Sequence, residues 1–189
     1  MHFFSGSSGS YWNIYGFRYA GTGTGGAPWH QLNGPYGISF DSNDTLYISD
    51  SLNFRIMSYL RNASNGTLVA GTGVNGNWVN RTSNSLRLNY VDGNGSIYFA
   101  DTGNHRVLRW PIGGNIGVVV AGNGSSGNSL NQLNNPVGVW VDSTGNVFVT
   151  EVTNHRVTRW APNATTGVLV AGPAGVSGSS NKRKPIYCP

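Results

Sequence analysis

The sequence predicts an all-β fold built from repeated four-stranded antiparallel units, and three observations predict it. The first is composition. The 189 residues include 28 glycines and only 10% charged residues, with Asn, Ser and Thr abundant, a mix that suits a turn-rich β protein better than a helical one. The second is an even spacing. Ala20-Gly21, Ala70-Gly71, Ala121-Gly122 and Ala171-Gly172 stand 50, 51 and 50 residues apart. The third is a phrase written three times at the same step: "DSLNFRIMSY" at 50–59, "DTGNHRVLRW" at 101–110 and "EVTNHRVTRW" at 151–160.

Each unit reads as four short strands, rich in β-branched and aromatic residues and bounded by Gly, Asn, Asp or Pro. The first is "GISF" (37–40) or "GVWV" (138–141). In the second unit Leu86-x-Leu88 replaces Pro35-x-Gly37 and Pro136-x-Gly138, and the preserved length predicts a strand with Leu86, Leu88 and Tyr90 alternating. The turns "DGNGS" (92–96) and "DSTGN" (142–146) follow. Their Asp side chains accept backbone N–H groups two residues on, and Gly95 and Gly145 suit a left-handed position, filled by Asp44 in unit one. The second strands are "TLYIS", "SIYFA" and "NVFVT", the third "FRIMSY", "HRVLRW" and "HRVTRW", and the fourth "TLVA", "GVVVA" and "GVLVA".

The thrice-written phrase is the hairpin between the second and third strands. Asp101 is expected to cap its turn, with Asn104 and Asn154 as the left-handed residues. Arg106 is expected to fold back onto Asp101 or a nearby carbonyl as a charge-assisted donor. Val107 and Trp110 fall on opposite faces by the two-residue alternation, and Tyr59, Trp110 and Trp160 are expected to pack between units. A repeated phrase solves the same structural problem each time, so Asp50, Asn53, Arg55, Asp101, Asn104, Arg106, Glu151, Asn154 and Arg156 read as a repeated structural turn. On that reading Arg106→Ala destabilises more than Arg81→Ala.

Four antiparallel strands at this period make a propeller blade. "PVGVWVDSTGNVFVTEVTNHRVTRW" and "GNGSIYFADTGNHRVLRW" resemble NHL repeats in three signature elements: Pro-x-Gly before the first strand, the Asp-x-x-Gly turn and the Asp-x-x-Asn-x-Arg-Val hairpin. The resemblance covers roughly 12–172. It implies a β-propeller, usually of six blades, of which three units are half. Either further blades belong to a longer chain, or two chains close a six-bladed ring as a homodimer, or a short open propeller stands alone. The expected organisation is a disordered segment at 1–10, a partial propeller at 11–172 opening with the last strand of an incomplete blade at 11–21, and a basic flexible tail at 173–189.

Bulk features bound function loosely. Net charge is +5, three of it from Lys182, Arg183 and Lys184, which a solvated tail explains. No run reaches the roughly 18 apolar residues of a membrane span. Cys188 is the sole cysteine, so neither an intrachain disulfide nor a Cys-based zinc site forms. Seven Asn-x-Ser/Thr sites, at Asn43, Asn62, Asn65, Asn80, Asn94, Asn123 and Asn163, suit secretion. The lone cysteine suits a reducing compartment, so no localisation is assigned.

No nucleophile motif occurs. The Gly-rich "AGTGTGG" (20–26) has no helix after it, and "AGTG" recurs at 70–73 as the end of a unit, so it is not a phosphate loop. The resemblance extends to peptide-amidating lyases that hold zinc through histidines near the ring axis. His105 and His155 match across units, but Phe54 fills the third position and no further His joins them. No metal site and no cofactor is expected, and a metal-dependent lyase stands as the alternative function. The strongest binding candidates are Trp29, His30, Trp78, Arg81 and Arg87. All five are assigned to the variable connection from fourth strand to next first strand, which shares one rim with the second hairpin. Non-repeated aromatic and Arg residues in loops mark binding surfaces. The reading is a non-enzymatic scaffold for a protein or glycan partner, with RNA as a further version, since related propellers bind single strands on basic, aromatic-dotted faces.

Overall fold

The structure, a computed structural model, describes residues 18–172. The expected disordered segment, most of the expected strand at 11–21 and the basic tail lie outside the described residues. Three four-stranded antiparallel sheets follow one another. The first holds β1 (Pro35–Phe40), β2 (Leu46–Asp50), β3 (Arg55–Tyr59) and β4 (Thr67–Gly71). The second holds β5 (Leu86–Val91), β6 (Ile97–Asp101), β7 (Arg106–Trp110) and β8 (Val118–Ala121). The third holds β9 (Pro136–Val141), β10 (Val147–Glu151), β11 (Arg156–Trp160) and β12 (Val168–Ala171). Each sheet runs in chain order, with β1 packed on β5 and β5 on β9, so the first strands are the inner ones.

The core lies between the sheets. Tyr47, Ile56 and Ala70 of the first sheet meet Leu86, Val91, Ile97, Phe99, Leu108 and Trp110 of the second. Tyr98, Val107 and Ala121 of the second meet Val139, Val141, Val147, Val149 and Trp160 of the third, with Leu133 of the connection between them. Alternation makes this possible: successive side chains of one strand serve opposite interfaces. Val107 and Trp110 do fall on opposite faces, and Trp110 and Trp160 pack between sheets. Tyr59 likewise packs, with Leu46, Ile48 and Met57, against Tyr19 and Ala20 of the preceding unit and against Leu32. Residues 18–21 form no strand, yet Tyr19 and Ala20 cover the first sheet as Val69 and Ala70 cover the second.

The first strand of every sheet carries a register shift, between Pro35 and Ile38, between Leu86 and Asn89, and opposite Thr150 and Glu151. The second unit therefore keeps the bulge without Pro-x-Gly. The bulge also overturns the simple alternation expected there, because Leu86 and Asn89 are buried while Leu88 is exposed. Gly37 is needed for packing as much as for conformation. A Cβ at that position would lie 2.5 Å from the Arg87 carbonyl oxygen and 2.7 Å from Leu88 Cα.

Gly95, Gly145 and Asp44 take the left-handed turn positions as expected, at φ 77°, 83° and 62°. In the second hairpin two expectations are corrected. The left-handed residues are Phe54, His105 and His155, at φ 53°, 50° and 51°, one place after each Asn. Ser51–Asn53 and Thr102–Asn104 form single 3-10 turns, so the Asn closes the turn and its successor reverses the chain. Asp101 makes no capping bond to its own turn. Its carboxylate accepts instead from Ser83 N at 2.8 Å, Asn104 Nδ2 at 2.9 Å and Arg106 Nε at 2.9 Å.

Arg106 does fold back, and its remaining donors bond the carbonyls of Asn77, Trp78 and Arg81 at 2.6, 3.0 and 3.0 Å. Arg55 does the same with Asp50 and the carbonyls of Ala27, Pro28 and Gln31. Arg156 repeats it with Glu151 and the carbonyls of Asn128, Ser129 and Gln132. The extra methylene of Glu151 brings its carboxylate to the Thr158 hydroxyl as well, where the other units have Met57 and Leu108.

Two outcomes follow. Arg106→Ala leaves a buried carboxylate unpaired and three carbonyls unbonded, so it is expected to cost about 3–5 kcal/mol. Arg81→Ala removes only an exposed side chain and is expected to cost less than about 0.5 kcal/mol. Urea midpoints of the two variants check this. On the opposite edge, the Asn146 amide, working against partial burial and helped by Thr144, holds Asp142 down to about 2 from the ordinary 3.8. A depressed carboxylate stabilises the turn fully above the ordinary value and loses that contribution as pH falls through about 2. Asn146→Ala is expected to return Asp142 toward 3.8 in an NMR titration of the carboxyl carbon.

Candidate binding surface

The connection between sheets does not stay on the rim of the second hairpin. It begins there, then drapes along the outer strands of the following sheet. The buried Arg of each unit holds its first stretch. A turn at its tip closes through Gln31 N to Pro28 O, Arg81 N to Trp78 O, and Gln132 N to Ser129 O. That tip reaches the far end of the fourth strand, where Gly66 donates to Trp29 O, Gly117 to Val79 O and Gly167 to Leu130 O, at 2.9, 2.8 and 2.7 Å. The shared-rim expectation therefore holds only for the start of the connection.

These bonds align the candidate residues across units. Trp29 occupies the same place as Val79 and Leu130, and all three are exposed, at 53%, 43% and 46%. Trp78, 73% exposed, sits one place earlier, where the other units have Pro28 and Ser129. His30 and Arg81 are exposed at the tip and end of their turns. Four of the five candidates thus lie on the outer flank of successive sheets.

Arg87 does not join them. It belongs to β5, an inner strand, not to the connection, and its guanidinium carbon stands 4.2 Å from the centre of the Tyr36 ring. The register of the repeat holds the signal for that stack, because Tyr36, Arg87 and Val137 fill one position in three consecutive units.

The paired histidines have a backbone reason to be where they are. Both occupy the left-handed position, which His tolerates better than most residues, and His105 Nδ1 also accepts from Asn135 N at 3.4 Å. Among the described residues no group of three or more His, Cys, Asp or Glu converges. No described helix is long and apolar enough to cross a membrane.

Sheets of four antiparallel strands, stacked with their first strands innermost, define a class: these are β-propeller blades. In the third unit, residues 133–160 match the NHL repeat family model. A protein of unknown function from Bacteroides thetaiotaomicron superposes at TM-score 0.58 and 18% identity, over 76% of this chain and 37% of its own. An auxiliary nutrient binding protein from the same organism gives 0.58 and 14%, over 79% and 39%. A gluconolactonase from Xanthomonas campestris gives 0.54 and 16%, over 81% and 49%. At such identities the likeness shows the fold alone, and the chain spans less than half the length of these three structures. No curated protein sequence matches the chain.

If His105 is a backbone residue and not a ligand, its substitutions should follow backbone conformation. His105→Gly is expected to change stability by less than about 1 kcal/mol, and His105→Val to cost at least about 1–2 kcal/mol. Denaturant melts of both variants check this. Zinc lost stoichiometrically from His105→Gly would restore the metal reading.

Proposed function

We propose that this chain is a non-enzymatic binding scaffold that takes a protein or glycan partner on the outer flank carrying Trp29, His30, Trp78 and Arg81. One observation carries the reading. The indoles of Trp29 and Trp78 are exposed although their backbones are fixed, through Gly66 N and Tyr59 Oη to the Trp29 carbonyl and through Arg106 and Arg81 N to that of Trp78. A loop ordered before binding loses little entropy when a partner arrives, and rigid exposed aromatics with Arg beside them are the side chains that anchor interfaces. Both protein and carbohydrate surfaces fit such flat, amphipathic rings. The alternative lyase reading rests on His105 and His155, whose left-handed backbone positions already account for their placement.

The test uses immobilised protein against a displayed peptide library and a glycan array. Ligands recovered for the wild type are expected to bind Trp29→Ala/Trp78→Ala at least tenfold more weakly, with the circular dichroism spectrum unchanged. Undiminished binding by that variant would remove the flank as the site. Single-stranded RNA, titrated at two salt concentrations, is the third arm. Binding that falls steeply with salt would replace the protein or glycan partner with a nucleic acid.

A further inference from the structure

Arg87 differs from the three repeated arginines. Arg55, Arg106 and Arg156 are each paired with a carboxylate. Among the described residues Arg87 has none. Its Nε is buried without a hydrogen-bond partner. The guanidinium lies on the ring of Tyr36, itself 56% exposed. Both residues sit within the register shifts of β1 and β5, and such bulges redirect side chains and recur beside functional sites. The two strands are held close by Gly37, where no Cβ fits. The stack is thus built into the inner strands and is not a chance meeting of surface side chains.

A half-buried cation with an unanswered donor is costly unless an anion completes it. Stacking fixes the plane of the guanidinium, and the planar fork matches the two oxygens of a carboxylate or phosphate. We propose that Arg87, held by Tyr36, is an oxyanion-binding site on the inner strands, taking a carboxylate or phosphate group of the partner. The site extends the proposed binding role and rests on it only in assigning the anion to a partner. Anion binding itself involves none of the flank residues.

The test titrates the intact protein with inorganic phosphate and, separately, with acetate, at ionic strength held constant with sodium chloride, while following the Arg87 Nε–H resonance by NMR. A saturable shift is expected with at least one anion. Stronger binding of phosphate assigns a phosphorylated ligand, and stronger binding of acetate an acidic one. Arg87→Gln, read on the nearby Tyr36 ring signals, is expected to weaken the response at least tenfold. Arg87→Lys retains charge without the fork and should fall between. Tyr36→Leu should weaken binding while leaving the fold intact, and Arg109→Gln, at an exposed arginine of β7 outside both proposed surfaces, should leave it unchanged. A shift that never saturates, or one that persists in Arg87→Gln, overturns the site. Neither result touches the tryptophan flank, whose variants are scored on their own ligands.

Discussion

Everything in this repeat hangs on one buried contact, the carboxylate at the end of each second strand paired with the Arg that opens the third. The acids are 0–2% exposed and the arginines 3–8%. Ions so far from water are tolerated only when every donor and acceptor is satisfied. Here the satisfaction comes from outside the hairpin. One carboxylate takes the backbone N–H just before the first strand, as Asp50 takes Asn33 N, and one guanidinium takes three carbonyls of the preceding connection. The pair therefore fastens a long irregular segment to a sheet it would otherwise only pass. Apolar burial joins sheet to sheet, and the ion pair joins connection to sheet.

The interfaces grow more apolar along the chain. Between the first two sheets, Ser39, Ser49 and the Gly37 carbonyl all bond Asn89, and Ser51 Oγ donates to Leu86 O. Between the second and third, only Thr102 Oγ1 to Pro136 O survives of that set. On the far face of the third sheet the corresponding positions are Trp140, Thr150 and Val152, all exposed, with Phe148 against Trp140 at 5.5 Å between ring centres. Tyr90 and Tyr98 hold the same two ring positions inside the molecule, buried by the third sheet. Position for position, the third sheet presents the face that the first and second use to receive a neighbour. Tyr19 and Ala20 occupy the corresponding position on the first sheet.

Much of this was legible in the sequence because it is written three times. Strand order, the left-handed glycines, the opposite faces of Val107 and Trp110, and the folding back of Arg106 all follow from period and residue type. The errors came where the code is local but the partner is distant. Asp101 resembles a cap by sequence, yet its acceptors are claimed by Ser83, 18 residues upstream, and by Asn104 and Arg106. Asn104 resembles a left-handed turn residue, but its amide is committed to Gly76 O and Asp101, and the reversal passes to His105. Arg87 reads as a connection residue only if the strand expected over Leu86, Leu88 and Tyr90 is set aside. The bulge that the second unit keeps there is set by pairing with β6, which no reading of a single segment reveals.

The division between repeated and unrepeated residues also explains where binding can evolve in such a chain. Backbone geometry of the connection is dictated by carbonyls, and carbonyls carry no sequence information. A guanidinium that grips Ala27, Pro28 and Gln31 grips Asn77, Trp78 and Arg81 equally well. Side chains at the turn tips are thereby freed from structural duty: Trp29, Val79 and Leu130 share a backbone position but not a shape. The same holds at the inner strands, where Tyr36, Arg87 and Val137 ride on one conserved bulge geometry. Rigidity comes from the repeat and variety from the positions it leaves unconstrained, so a partner would read a pattern of side chains held on a frame that does not itself need to change.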